Sequence, residues 1–197
     1  GFSEPGAVHR WRTARSVVAG QAHTCAVLDN GTVKCWGSAF FGQLGSGAMT
    51  TLGDNGSEMG DSLPVVNLGT GRTARSLSAG ESHTCAVLDN GTLKCWGNGF
   101  EGESGIESSA TMGDGAGEMG GSLPAANLGT GRTARSVFSG GYHNCAILDD
   151  GSVKCWGYGL DGELGSGGTA NLGDGVGEMG DSLATVNLGN GRTARSL

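Results

Sequence analysis

Six cysteines and three of the four histidines are the residues of this sequence best suited to chemistry, and they recur at a fixed spacing. The cysteines form pairs ten positions apart, each starting two residues after a histidine: Cys25, Cys35, Cys85, Cys95, Cys145 and Cys155. Histidine nitrogen and cysteine thiolate are ligands that zinc accepts, so His23, Cys25 and Cys35 could contribute to a metal site. A closed zinc site needs four ligands, and no other position repeated in every unit supplies an obvious fourth. We therefore favour three disulfides, each beside a histidine that packs or hydrogen-bonds at the start of a strand.

The residues between the paired cysteines predict an antiparallel hairpin. Apolar and β-branched runs flank Asp-Asn-Gly or Asp-Asp-Gly, which is the strongest short-range hairpin signal. A three-residue loop sets Val27 opposite Val33 and Cys25 opposite Cys35, where β-carbons lie roughly 4.5–5.5 Å apart, within reach of a disulfide. A two-residue loop would place the cysteines diagonally. The three-residue loop also predicts a positive φ at the glycine of each turn: Gly31, Gly91 and Gly151.

The predicted disulfides also indicate in which cellular compartment the protein is found. Each short ring is worth roughly 2.5–3 kcal/mol in the loop-entropy account, and such bonds persist only under oxidising conditions. We expect a secreted or cell-surface protein. Since no signal peptide or membrane-length apolar run is visible, we expect a processed form or a segment of something longer.

The whole chain of 197 residues repeats with a period of 60. With 41 glycines and few aromatics, a single unit has too little apolar material to bury a core alone, so it must pack on its neighbours. The predicted organisation is an N-terminal cap over 1–11, repeats over 12–71, 72–131 and 132–191, and the first strand of an incomplete fourth repeat over 192–197.

Each unit reads as β-structure without helices. In the first unit we predict strands at 14–19, 23–28 and 32–36, and a possible fourth at 63–68. A glycine-rich segment, residues 37–62, separates the last two and is long enough to be functional or to be built from turns of its own.

The acidic residues of that segment repeat and could offer oxygen ligands to calcium. Their spacing is not that of an EF-hand, and Gly121 replaces the last acid of the middle unit. Solvated turn carboxylates explain the pattern more simply. The possible ligands are Asp54, Glu58, Asp61, Asp174, Glu178 and Asp181.

Eight of the twelve basic residues form pairs in the motif Arg-Thr-Ala-Arg: Arg12 with Arg15, Arg72 with Arg75, Arg132 with Arg135, and Arg192 with Arg195. Side chains three positions apart on a strand point to opposite faces, so a pair should not form one anion clamp. We expect one arginine of each pair to bridge to an acidic loop of an adjacent unit.

Three sequons could carry N-linked sugar, which would make this a glycoprotein: Asn30, Asn55 and Asn90. Asn30 and Asn90 lie at predicted hairpin tips. The third unit has Asp150 at that position, so chance remains an equal explanation.

The sequence offers no sign of catalysis or of nucleic-acid binding. A net charge of −7 lacks the basic face that nucleic acid requires. No serine, histidine and aspartate arrangement, nucleotide loop or carboxylate pair stands out. We therefore predict no enzyme, no required cofactor and no membrane span.

The repeated pattern resembles the repeat of the regulator of chromosome condensation family. The residues that carry this likeness are Trp36-Gly37 with Gly42-Gln-Leu-Gly45, and Trp156-Gly157 with Gly162-Glu-Leu-Gly165. The middle unit departs from it with Gly102-Glu-Ser-Gly105. The resemblance implies an all-β fold of four-stranded β-propeller blades, normally seven, a ring that three units cannot close. Members range from a nuclear guanine-nucleotide exchange factor to secreted protein-binding propellers, and the cysteine hairpins and acidic charge resemble the secreted kind.

Two functions follow as expectations. The first is an extracellular structural protein that assembles with itself, head to tail, into a fibre, tube or multi-chain propeller. The strand added to a neighbouring copy would be the last segment, with Arg192, Arg195 and Leu197 as assembly residues. The alternative is a secreted binding module that recognises another extracellular protein or a glycan through the variable loop centres, 46–51, 106–111 and 166–171.

Overall fold

The computed structural model describes residues 12–196, and these form three antiparallel sheets of three strands each. The strands are β1 (Ala14–Ala19), β2 (His23–Leu28), β3 (Val33–Gly37), β4 (Ala74–Ala79), β5 (His83–Leu88), β6 (Leu93–Gly97), β7 (Ala134–Ser139), β8 (His143–Leu148) and β9 (Val153–Gly157). Within the described part of the chain there is no α-helix, only two three-residue 3-10 turns, Gly60–Ser62 and Gly180–Ser182. The predicted cap over 1–11 and Leu197 lie outside the described residues.

The hairpins have the register that the turn sequence predicts. Cys25 lies opposite Cys35 and Val27 opposite Val33, and the other two units repeat this pairing. All three disulfides join cysteines ten apart, and the described residues contain no free cysteine. The turn glycines take the left-handed conformation, with φ of 78°, 82° and 83° at Gly31, Gly91 and Gly151.

The predicted fourth strand is wrong. Residues 63–68 touch β3 through one antiparallel bridge, between Lys34 and Val65, and one nearby hydrogen bond, 2.8 Å from Val66 N to Val33 O. Pro64 has no N–H to extend a ladder. The segment instead turns Leu63, Val66 and Leu68 inward, where they are buried.

The predicted bridge from a paired arginine to an adjacent unit is also wrong, and a β-bulge lies at this place. The register between the first two strands of each sheet shifts by one residue, between Ala74 and Ser76 in the second unit. Arg72 and Arg75 both reach Asp89, the first through its carboxylate at 3.0 Å and the second through its backbone carbonyl. The expected bridge to an adjacent unit's acidic loop is replaced by a contact with the hairpin tip of the same unit.

The hydrophobic core lies between units rather than inside them. The first cluster joins Val27, Val33 and Leu44 of unit one to Leu77, Leu88 and Trp96 of unit two. The second joins Val87, Leu93 and Leu128 of unit two to Val137, Leu148 and Trp156 of unit three. A unit thus offers one half of a core on each side, and we call the interface between two consecutive units a joint.

None of the described residues forms a helix with the length and apolar character needed to cross a membrane.

Candidate interaction surfaces at the joints between units

A hydrogen-bonded relay crosses the joint between units one and two. The Nε2 of His23 lies 2.8 Å from the Thr84 hydroxyl, which donates to the carbonyl of Gln43 at 3.0 Å. Because the hydroxyl's only hydrogen is used there, His23 must donate from Nε2. The same carbonyl accepts a second bond, 3.0 Å long, from the indole N–H of Trp96.

The joint between units two and three repeats this relay with an amide in place of the hydroxyl. His83 Nε2 lies 3.0 Å from Asn144 Oδ1, and Asn144 Nδ2 donates to the carbonyl of Glu103 at 2.8 Å. Trp156 donates its indole N–H to that carbonyl at 3.1 Å. One backbone carbonyl in each joint is therefore the acceptor on which two side chains of the next unit converge.

The joint histidines are neutral. Burial lowers the pKa of both His23 and His83 from 6.5 to about 4, because a charged imidazole would lose its water. Their Nδ1 atoms find no partner among the described residues. Each ring packs on a glycine three residues before it, since a β-carbon at Gly20 would lie 2.3 Å from the ring of His23. This is the packing role that the sequence favoured over metal binding, and the paired cysteines leave no thiolate for zinc.

A buried carboxyl lies in the second joint, and sequence reasoning missed it. Glu103 is completely buried, and its Oε2 accepts the backbone N–H of Glu101 at 2.9 Å while its Oε1 has no partner among residues 12–196. Desolvation is the main cause that raises its pKa from 4.5 to about 7. In the first joint a neutral amide, Gln43, occupies the equivalent position, its Oε1 2.8 Å from the N–H of Phe41. The available signal was the change from Gln43 to Glu103 and Glu163 at the same position of the repeated Gly-x-x-Gly segment.

Glycine in that motif allows the units to approach closely. A β-carbon at Gly42 would lie 2.4 Å from the backbone nitrogen of Asp114, and one at Gly102 would lie 2.6 Å from that of Asp174. The equivalent Gly162 has nothing within 4 Å. The first two glycines therefore lie in closed joints, and the third faces open space.

Among residues 12–196, one side of unit one is a half-joint with no unit packed on it, which we call the N-terminal end face; it comprises Ala14, Val17, Thr24, Trp36 and Met59. Val17 is 57% exposed, although its equivalents Leu77 and Val137 are 7% and 9% exposed in the two closed joints. Trp36 is half-buried and Met59 is exposed, whereas their counterparts in units two and three are buried.

The opposite side of unit three is the complementary half, the C-terminal end face; it comprises Phe138, His143, Glu163, Val186 and Leu188. Leu188 is 42% exposed, whereas its equivalents Leu68 and Leu128 are 3% and 5% exposed. Phe138 is exposed, and His143 is only half-buried.

The two end faces carry opposite halves of the relay. His143 and the carbonyl of Glu163 are the groups that unit three would present to a following unit, and Thr24 and Trp36 are those that unit one would present to a preceding one. Within residues 12–196 none of these polar side chains, nor that carbonyl, makes a hydrogen bond. The end faces therefore match each other in both polar and apolar groups.

The acidic loop residues act as backbone acceptors in the structure. Glu58, Glu118 and Glu178 each accept two N–H groups of their own turn, such as those of Gly113 and Gly115 at 2.8 and 2.9 Å from Glu118. Asp181 instead reaches the neighbouring unit, where it accepts the N–H of Thr130 at 2.9 Å. No three histidine, cysteine or acidic residues gather as a metal site in the described part of the chain.

The variable loop centres of the first two units contact the following unit, whereas most of the third loop centre, residues 166–170, is exposed. Gly47 N donates to Gly113 O at 3.1 Å, and Ser108 N donates to Gly173 O at 3.2 Å. The carboxylate of Glu107 accepts the N–H of Met179 at 3.1 Å. A loop of one unit thus closes over the acidic turn of the next.

The sequon asparagines are exposed. In the first and second units the amide oxygens of Asn30 and Asn90 cap their turns by accepting the N–H of Thr32 at 3.2 Å and of Thr92 at 3.0 Å. The side chain of Asn55 bonds to Glu58 at 3.0 Å. Glycosylation at the three sites stays a prediction.

Residues 192–196 form no strand. In the complete units the opening strand pairs with the first strand of its own hairpin, and these residues have no such partner among the described ones. Ala194 N instead donates to Gly151 O at 3.0 Å, just as Ala74 and Ala134 bond to the preceding hairpin tips. Arg192 and Arg195 therefore lie beside unit three of the same chain.

Exposed apolar side chains also follow one loop end of the sheets. Phe40, Phe100 and Leu160 occupy equivalent, exposed positions in successive units. Phe41 connects the first two, with ring centroids 4.9 Å from Phe40 and 6.0 Å from Phe100. We call these four side chains the loop-end row.

Comparisons with known proteins place these features in a family. The model of the regulator of chromosome condensation (RCC1) repeat matches residues 14–43, 74–103 and 134–163. The ultraviolet-B receptor UVR8 of Arabidopsis thaliana is 31% identical over 155 residues, which cover 77% of this chain and 31% of that protein. Protein pim1 of Schizosaccharomyces pombe is 29% identical over 163 residues, covering 77% of this chain and 28% of that protein.

A solved structure shows the same fold. The crystal structure of Kap60 bound to yeast RCC1 (Prp20) is similar with a TM-score of 0.61 and 21% identity, over 81% of this chain and 36% of that one. This chain thus spans about a third of the length of the proteins that it matches.

Proposed function

Since the chain belongs to the regulator of chromosome condensation repeat family, we propose that it is a non-catalytic extracellular structural protein whose copies join end to end. The C-terminal end face of one copy docks on the N-terminal end face of the next. The disulfides, which need an oxidising compartment, support the extracellular assignment. The repeat-family relatives, named as a receptor and as RCC1-type proteins, support a role in binding rather than catalysis.

The observation that carries this proposal is the pair of half-cores. The chain closes the same joint twice, between units one and two and between units two and three. A third, incomplete cluster around Ile147, Val153 and Leu164 lies beside the C-terminal end face. Fully burying an exposed side chain of this kind is worth roughly 1.5–3 kcal/mol, and Val17 and Leu188, 57% and 42% exposed, would gain about half of that on docking.

The proposed docking involves residues 192–196, the segment for which the sequence suggested strand addition between copies. Residues 192–196 lie against the hairpin tip of unit three, and a strand swap would have to break that contact. Docking in the geometry of an internal joint would displace them too, because Ala14 of the next copy would take the place that Ala194 has against Gly151. The contact is heterologous, so it closes into a ring if the rotation permits and otherwise extends as a filament. Two or three copies of this chain would supply six or nine units for a ring.

The test is the particle mass of the wild type and of Val17→Asp, measured by sedimentation over a concentration series. We expect the wild type to associate and Val17→Asp to remain a monomer, because a docked carboxylate would be desolvated among apolar side chains. Val17 is exposed in the single chain, so the variant should melt near the wild-type temperature.

Phe40→Asp is the matched control, because Phe40 is also exposed, 69% against 57% for Val17, but belongs to the loop-end row and to neither end face. It should associate like the wild type. A wild type that stays monomeric at high concentration would overturn the proposal.

The loop-end row favours a second candidate function, binding of another extracellular protein. A continuous apolar strip of three phenylalanines is the kind of surface that marks an interaction site. The test is binding of a peptide or glycan selected from a display library. Loss of that binding in Phe100→Asp, with binding retained in Val17→Asp, would favour this function over self-assembly.

A further inference from the structure

One position of the joint changes chemistry from unit to unit. It holds Gln43 in the first joint, Glu103 in the second and Glu163 on the C-terminal end face. Gln43 and Glu103 are both buried by the unit that follows them, and Glu163 is still half-exposed. The backbone environment is shared, since each side chain oxygen accepts the N–H two residues before it, at 2.8 to 2.9 Å.

We infer that a joint closed over a glutamate holds that carboxyl neutral, so that docking of the C-terminal end face takes up a proton at Glu163. This inference rests on the proposed end-to-end function and names the regulation of the same contact. The geometry of Glu103 carries it: the carboxyl is fully buried, accepts the backbone N–H of Glu101 with one oxygen and leaves its other oxygen without a partner among the described residues. An ionised carboxylate in such a place would lose its hydration without gaining a counter-ion.

The charged groups around Glu103 reinforce this effect. Glu101 on the same loop and Asp174 on the facing turn both raise its pKa, and the phenol of Tyr142 also lies within electrostatic range. On a docked end face, Asp161 would take the place of Glu101, and Asp54 of the second copy would take that of Asp174. No lysine or arginine among the described residues contributes to the shift.

A histidine of the same joint titrates in the opposite sense. His83 is bonded to Asn144, whose amide bonds to the Glu103 carbonyl, and burial keeps that imidazole neutral. His143 would be buried in the same way on docking, and burial disfavours a charged imidazole. The raw pH dependence of association therefore mixes two effects, and only a comparison with a variant at position 163 isolates the carboxyl.

The direction in which pH changes the association constant follows from the linkage between proton binding and docking. The pKa of Glu103 in its closed joint is about 7 and that of an ordinary glutamic acid is 4.5. The association constant for docking over a glutamate is therefore highest below pH 4.5. It falls as the pH rises from 4.5 to about 7. Between pH 5.5 and pH 8 this weakening amounts to about 20- to 30-fold in the association constant.

The experiment measures the association constant of the full chain and of Glu163→Gln at pH 5.5 and pH 8, at equal ionic strength. Glutamine is the residue that the first joint already accepts, so the variant should dock without strain. We expect the ratio of the variant's association constant to that of the wild type to rise about 20- to 30-fold from pH 5.5 to pH 8. The histidine effect is common to both proteins and cancels in the ratio. Glu103→Gln, which changes only an internal joint, should leave the pH dependence of association as in the wild type.

Each outcome is decisive. A ratio that stays constant with pH, while both proteins associate, overturns the proton uptake and leaves the proposed function standing. Failure of both proteins to associate at either pH overturns the proposed function itself. A pH dependence that follows Glu103→Gln rather than Glu163→Gln assigns the proton to the internal joint and also overturns the inference.

Discussion

At the scale of single residues, the joint between units two and three shows how one oxygen changes the behaviour of a buried side chain. Gln43 and Glu103 have nearly the same shape and accept the same kind of backbone bond. The amide also brings two N–H donors and no charge, whereas the carboxyl must either stay protonated or be buried as a charge. Because burial raises the pKa of Glu103 to about 7, the carboxyl stays protonated below that pH and is buried as a charge above it.

We predict that Glu103→Gln stabilises the protein at pH 8 and changes its stability little at pH 4.5. A group whose folded pKa is raised contributes stability that is complete below its unfolded pKa and is lost as pH rises through the folded one. For values of 4.5 and about 7, the penalty removed at pH 8 is about 3 kcal/mol. Denaturant unfolding of both proteins at the two pH values measures it. An equal change in stability at pH 4.5 and pH 8 would contradict a neutral Glu103.

At the scale of elements, the hairpin turn couples one unit to the next. Gly91 N donates to Leu88 O inside the turn, and Gly91 O accepts the N–H of Ala134 from the next unit, both at 2.9 Å. A β-carbon on this glycine would lie 2.8 Å from the Cβ of Thr133. Glycine is therefore required twice, for the left-handed conformation and for the close approach of the neighbouring chain segment.

We predict that Gly91→Ala destabilises the protein more than Gly131→Ala does. Both glycines have positive φ, 82° and 69°, so both variants incur a left-handed penalty of about 1–2 kcal/mol. A β-carbon at Gly131 would have no described atom within 4 Å, so only Gly91→Ala adds a clash with Thr133. The two melting curves, taken side by side, measure the difference. Equal destabilisation would show that the tip can move away from the neighbouring unit at no cost.

The elements that the sequence predicts well are those that local chemistry determines. Asp-Asn-Gly and the alternation around it determine the hairpin, so the register of Cys25 with Cys35 is confirmed. The errors arise where a neighbouring segment decides the outcome. Near the bulge, Arg72 and Arg75 both contact Asp89 of their own unit. Residues 63–68 do not form a strand, because their apolar side chains are buried in a joint instead.

The joint itself could not be predicted, because its contacts join residues about 40 to 60 positions apart. Nothing local distinguishes the carbonyl of Glu103, which accepts bonds from Asn144 and Trp156. The repeat nevertheless carried a usable signal. The residue after the first glycine of the repeated Gly-x-x-Gly segment is polar in all three units and changes only between amide and acid: Gln43, Glu103 and Glu163.

At the scale of the whole molecule, the three units form a stack in which each apolar surface is half of a core. Such a stack has two complementary ends, and its interior joints define what each end would contact. Val17 and Leu188 are exposed whereas their equivalents in the closed joints are buried. The two surfaces are therefore different from each other, and the stack has a direction. A contact between them has to be head to tail, which distinguishes it from the isologous contact of most dimers.

We predict that two variants, each blocked at one end, are monomeric alone and form a single heterodimer when mixed. Val17→Asp blocks the N-terminal end face and Leu188→Asp blocks the C-terminal one, because each carboxylate would be buried in an apolar half-core on docking. In the mixture, the intact C-terminal end face of Val17→Asp meets the intact N-terminal end face of Leu188→Asp. No further growth is possible, since the outer faces of that pair are both blocked.

Sedimentation of each variant and of the equimolar mixture measures this outcome, with the mixture of wild type and Phe40→Asp as the control that should keep growing. If Leu188→Asp dimerises by itself, the N-terminal end faces pair with each other and the contact is isologous. If the mixture stays monomeric while the wild type assembles, the copies join through another surface, of which the loop-end row is the first to test. Only the heterodimer fits a joint between copies that repeats the joints already closed within the chain.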